Sequence, residues 1–474
     1  MNLPMLRTLF PKFTLLSLAL LLSACASTRV EPPAPAPAPT QFKEDGLWKR
    51  AAAASATTTP VPDAWWQLYS DPVLDDLQAR LVIGNENLKG AVAQVAVARA
   101  AIGASRAAEL PVLSANPSLS RSGAPSGNTG QRSTSTSLSL GATASWEIDL
   151  WGRLSQATSG AEAKYQASLD DLAAARLSAQ ATLVQTYLSM RSAEAQASLL
   201  ERSVAGYQRS LDLTQTRYNA GVVARTDVLQ AQTQLKGAQA QINEAQTQRA
   251  QLEHAIAVLL GLPPSALTIA RTAVLPESPG VPLLLPATLL ERRPDIAAAE
   301  RRVAAAYAQI GVADAAFFPA LSLSASGGFR GSSLSNLLNA SSLYWSLGSA
   351  LAQTIFDGGA RRAASDQARA AADAATAAYR QLVLTALQEV EDNLVVADQL
   401  RAEGQLQREV LQLAQRTLEI VTEQYRAGTV SYLNVVTAQS TVLSSEQSVL
   451  SVRNRELAAI NQLLKNIAGR WQDR

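Results

Sequence analysis

The chain repeats itself at one fixed spacing, and that repetition limits its fold more than any other feature. Tyr218-x-Ala220-Gly221 returns as Tyr425-x-Ala427-Gly428. The match runs on through Val223/Val430, Asp227/Asn434, Val228/Val435 and Ala231-Gln232/Ala438-Gln439, at an offset of 207 (428 minus 221). Ile102-Gly103 with Ala108 and Pro111 recurs as Ile310-Gly311 with Ala316 and Pro319 at 208, and Ile148 and Gly152 recur as Ile355 and Gly359 at 207. Matches this regular mean that one unit occurs twice.

Each unit has the same order of parts. The first predicts a helix over 71–109, strands over 112–121 and 134–149, a long helix over 152–218 and a returning helix over 225–260. The second, spanning 287–468, predicts a helix, strands over 320–330 and 342–356, a long helix over 360–425 and a returning helix over 431–467. Leu138, Leu140, Ala142, Ala144, Trp146 and Ile148 alternate with Ser139, Gly141, Thr143, Ser145, Glu147 and Asp149. A period of two with one apolar and one small polar face describes a sheet between two environments.

Prolines are absent from 126–262 and 320–474 although the chain has 21, so each long helix can extend about 100 Å at 1.5 Å per residue. Val383, Leu387, Val390, Leu394 and Ala397 keep coiled-coil spacing, as do Leu411, Ala414, Leu418, Val421 and Tyr425. Gly221 and Gly428 stand where a left-handed residue ends a helix. The helix before the strands and the returning helix together match the long one, which predicts that they stack end to end beside it. The connection 261–286 then lies at mid-height.

The other features concern location and chemistry. Arg7 and Lys12 precede an apolar run from Phe13 to Leu22, too short to span a bilayer, and Ser23-Ala24-Cys25 follows. Residues 1–24 are therefore expected to be a lipoprotein signal peptide, with Cys25, the only cysteine, as the lipid attachment point. The Pro-rich stretch at 31–39 reads as a tether within a segment over 25–70, and 469–474 as a C-terminal tail. One histidine, 17% charged residues and a net charge of +2 leave no basic surface for nucleic acid and little material for metal or acid-base sites. His254 sits in a helical Ala/Gln/Leu context, as a packing residue would. No P-loop, dinucleotide fingerprint or nucleophile elbow occurs, so no enzymatic activity and no cofactor are expected.

Four strands with an apolar side in an exported, lipidated chain predict a membrane barrel. A sheet within hydrocarbon must close to satisfy its edges, and barrels of this type start at eight strands. Two, three or four copies would supply 8, 12 or 16. The helices would continue the barrel as a tube.

These features resemble the TolC-like outer-membrane efflux protein family, most closely its lipoprotein branch serving drug and metal efflux pumps. The resemblance covers almost the whole mature chain. It is carried by Trp65-Trp66-Gln-Leu-Tyr-Ser-Asp71-Pro72-x-Leu74, Arg292-Arg293-Pro294-Asp295-Ile296-x3-Glu300, Phe317-Phe318-Pro319-x-Leu321, Asp149-Leu-Trp-Gly152, Phe356-Asp357-Gly358-Gly359 and the two Tyr-x-Ala-Gly phrases. It implies a mixed α and β membrane protein in the outer membrane of a Gram-negative bacterium. Its homotrimer would hold a 12-strand β-barrel, four strands per subunit, continuing into a periplasmic α-helical barrel with an equatorial collar.

The resemblance also implies partners: outer-membrane lipid, a periplasmic adaptor protein and a proton-driven inner-membrane efflux pump. Thr226 and Asp227 match positions that hold the periplasmic gate shut, Tyr425 their aromatic partner, and Leu433 an apolar ring at the constriction. Asn434 and Thr437 stand where relatives often place aspartates, which implies a weakly selective gate. Gly221, Val222, Arg225, Gly428 and Thr429 match the adaptor-contact tips. Val430 stands where some relatives carry a basic residue, which leaves Arg225 to supply a cationic contact. Ordinary capping is the structural alternative for the polar gate residues, since Thr226 and Asp227 sit where an N-cap belongs. The exit duct of a type I protein secretion system and a periplasmic coiled-coil scaffold are the alternative functions.

Overall fold

The computed structural model describes residues 64–126, 131–280 and 292–468. Cys25, the signal segment, the proline-rich stretch, residues 281–291 and the tail from 469 lie outside the described residues. The described chain divides into two compact units, and each draws on both repeats. One contains 94–168 and 298–379, the other 169–297 and 380–474 with the segment before 94. The repeats are thus units of sequence and not of packing.

The helices are α1 (Pro72–Gly84), α2 (Glu86–Ala108), α3 (Arg153–Asn219), α4 (Arg225–Leu259), α5 (Pro294–Ala315), α6 (Ala360–Arg426) and α7 (Tyr432–Ile467). The strands are β1 (Val112–Ser126), β2 (Gln131–Ile148), β3 (Ala320–Gly331) and β4 (Leu343–Ala352). The last strand expected over 342–356 stops short at Ala352. Asp357 then turns the chain into α6, its carboxylate accepting from the Gly359 and Arg361 amides and from Arg361 Nε at 2.6 Å.

In the first unit the strands form one antiparallel sheet in the order β1-β2-β3-β4. The register puts Pro117, Leu140, Phe329 and Leu343 in one cross-strand row and Leu113, Ala144, Ala325 and Leu347 in another. Since side chains alternate along a strand, these rows share a face. Leu113, Leu119, Leu140, Trp345, Leu347 and Leu351 on that face are exposed. The opposite face carries the row Ser114, Thr143, Ser326 and Ser346, and on it the Asn116 amide donates to Thr143 Oγ1 at 3.0 Å. β1 and β4 each pair on one side only. At the foot of the sheet Trp151 stacks on Phe318 with ring centres 4.9 Å apart and donates to the Pro319 carbonyl.

The second unit is helical, with a core of Trp65, Leu74, Leu77, Leu81, Tyr187, Leu188, Ile256, Ile460 and Leu464 among others. Asp71 caps α1 by accepting from the Val73 amide at 2.9 Å, and its other oxygen accepts from the Tyr187 hydroxyl at 2.6 Å. The single helix expected over 71–109 is broken at Asn85. The cause is a backbone crossing: a Cβ on Gly84 would lie 2.1 Å from the Leu260 carbonyl oxygen, and one on Gly261 2.2 Å from that of Gly84. Asn85 seals the break, donating to Leu259 O at 2.7 Å and capping the Leu88 amide. The end of α4 therefore abuts the α1–α2 junction. In the second repeat Asn466, at the end of α7, meets Arg293, whose guanidinium is bound by Asp295 and Glu389.

The connection after α4 is pinned by a buried ion network. Glu194 on α3 accepts from Arg191 at 2.7 Å, Arg249 at 3.0 Å and the Thr272 amide, while both arginines donate to carbonyls of 269–270. Partnering on all sides is what makes a fully buried carboxylate tolerable.

Candidate functional site: the two helix tips

Both long helices end in the same hydrogen-bond pattern. After α3 the Gly221 amide donates to Tyr218 O and the Val222 amide to Arg217 O, each at 2.9 Å. After α6 the Gly428 amide donates to Tyr425 O and the Thr429 amide to Gln424 O, each at 3.0 Å. This is a Schellman ending, and it requires a left-handed residue, supplied by Gly221 at φ +76 and Gly428 at φ +79. The duplicated phrase is therefore a duplicated turn.

The turns differ in what surrounds them. Tyr425 is only 3% exposed, packed with Tyr432, Val435 and Ala231, and its ring centre lies 5.4 Å from that of Tyr432. Arg217, at the end of the other long helix, lays its guanidinium 4.6 Å above the Tyr425 ring and donates to the Tyr425 carbonyl at 2.6 Å. A cation at the last carbonyls of α6 complements the negative end of that helix. Burial pushes the Tyr432 phenol up to about 12, with Tyr425 and Asp227 adding to the shift and the hydroxyls of Thr214 and Ser210 opposing it.

Arg225 is exposed, and within the chain the cation that meets the second tip is Arg217. The N-cap of α4 is Ala224, not Thr226 or Asp227; Thr226 is exposed and Asp227 lies in the first turn, where its charge suits the helix N-terminus. Among the described residues, no hydrogen bond joins Thr226 or Asp227 to Tyr425. Leu433, Asn434 and Thr437 are exposed together near the start of α7, and Thr437 Oγ1 donates back to Leu433 O at 2.9 Å. Thr429 Oγ1 likewise donates to Gln424 O. Val222 is exposed at the outermost turn.

Sequence reasoning missed Arg217 and Tyr432. A signal for Arg217 was present: RYNAG and QYRAG differ at their first and third letters, and at the first Arg217 faces Gln424 across the repeats.

Comparison with known proteins places this architecture. The family model described as outer membrane efflux protein matches residues 79–262 and again 285–469, once per repeat. The pyoverdine export outer membrane protein OpmQ of Pseudomonas aeruginosa is 31% identical, over 97% of this chain and 97% of its own. Outer membrane protein OprJ of the same organism is 31% identical, over 97% and 95%. Among solved structures, the outer-membrane channel OprN superposes with a TM-score of 0.86 at 30% identity, covering 94% of this chain and 100% of that one. That of CusC gives 0.82 at 28% identity, covering 93% and 98%.

Proposed function

The chain belongs to the outer membrane efflux protein family, and on that premise we propose that three copies close one duct across the outer membrane. The duct is the passive exit of an efflux system, receiving its cargo from an inner-membrane pump through a periplasmic adaptor. The observation that carries this reading is the four-stranded sheet, with one apolar exposed face and a free edge at each end. In hydrocarbon those edges must be paired, and four strands cannot close on themselves. Three copies give twelve strands, three times the four of the β1-β2-β3-β4 sheet. A periplasmic scaffold would have no use for the apolar face. The adaptor meets the tips at Gly221, Val222, Arg225, Gly428 and Thr429, while Leu433, Asn434 and Thr437 line the gate.

Cys25 carries the lipid anchor in this reading, and the protein has no catalytic role. Changing Cys25→Ser tests anchor and barrel together. The variant should lose acyl labelling yet still need detergent for extraction, because the barrel alone holds it in the membrane. Persistent labelling would contradict the lipid anchor, and release into water would contradict the barrel.

A further inference from the structure

Among the described strand residues, the polar face of the sheet carries one charge with no opposite charge to pair with. Serine, threonine and glycine make up most of that face, and its charged members are Glu147 and Arg330. Glu147, at the foot, is held by Arg153, whose Nη2 donates to both carboxylate oxygens at 2.8 Å. Arg330 stands at the opposite end, next to last in β3, in the cross-strand row Ser118, Ser139 and Arg330. It is exposed, and no carboxylate among the described residues pairs with it. Instead its guanidinium carbon lies 5.0 Å from the centre of the Tyr344 ring. Tyr344 belongs to the neighbouring row Asn116, Gly141, Gly328 and Tyr344, and its ring reaches from β4 across β3 to β2, where a Cβ on Gly141 would collide with its hydroxyl. The two glycines let the ring lie along the wall. An arginine stacked on an aromatic face stays charged and keeps its fork of N–H donors for another acceptor.

We propose that Arg330, seated on Tyr344, is an anion-attracting site in the outer part of the duct wall, repeated once per copy as a ring of guanidinium groups. Its ligand is a small anion in transit, met by the forked donors beside the paired hydroxyls of Ser118 and Ser139, which lie 2.7 Å apart. Arginine rings favour anions in pores, and on this face no free carboxylate opposes them. Tyr344 is a positioning residue that keeps the charge against the wall. The inference rests on the closed duct proposed above, since only closure turns the polar face into a lumen.

The full protein in planar bilayers, between potassium chloride solutions of unequal concentration, reports this preference as a reversal potential. Arg330→Gln should shift it toward potassium selectivity, while Arg330→Lys should leave it near the wild-type value. Tyr344→Leu keeps the charge but removes its seat, and should fall between wild type and Arg330→Gln. The shift should shrink as salt is raised from about 0.1 M to about 1 M, where the screening length drops from about 10 Å to about 3 Å. Channels with the same reversal potential in wild type and Arg330→Gln overturn this proposal and leave the duct standing. A shift that salt does not reduce overturns its electrostatic cause, and wild-type selectivity in Tyr344→Leu overturns the seat. Wild-type protein that forms no channel overturns the duct as well.

Discussion

Arg217 and Gln424 occupy the same place in two copies of one phrase, and only the arginine reaches across to cap the other tip. A charge-assisted bond with a partly exposed cation–π contact stabilises the second tip by about 1 kcal/mol. Changing Arg217→Gln should therefore quicken chymotryptic cleavage after Tyr425 roughly fivefold; an unchanged rate would mean that Arg217 contributes nothing to the tip. Asn434 and Thr437 present dipoles without charge on the exposed face of α7. Changing both to Asp should raise cation selectivity in bilayer conductance, and no change would place the constriction at other residues. Charge at the mouth is thus a matter of single positions within a repeated frame.

At the scale of elements, the tips are sensitive to alkali through Tyr432. Burial holds this phenol at about 12, above the value of about 10 for an unfolded chain. Its folded pKa is raised, so its contribution is complete below about pH 10 and is lost as the pH climbs through about 12. The tyrosinate absorbance of wild type minus Tyr432→Phe should titrate near the higher value, and titration near 10 would contradict a buried ring. The long helices were legible in the sequence because neither holds a proline, and the second also keeps an apolar rhythm, of which Val390, Ala397 and Tyr425 are buried. The alternation in β2 likewise identified the sheet. The break at Asn85 was not legible, since its cause is the crossing of Gly84 by Gly261, far along the chain. Nor was the Arg217 clamp, whose acceptor lies 208 residues away. Local patterns reveal periodicity and turns; they do not reveal which distant backbone a residue will meet.

For the whole molecule, the duplication explains why one chain is both sufficient in design and incomplete in structure. Two repeats supply four strands and two tips, and the free edges of β1 and β4 call for another copy. The central claim is the number of copies, and the mass of the intact complex in detergent tests it most directly. Native mass spectrometry should find three chains per particle, whereas a single chain, or a complex of two or four, would contradict the account.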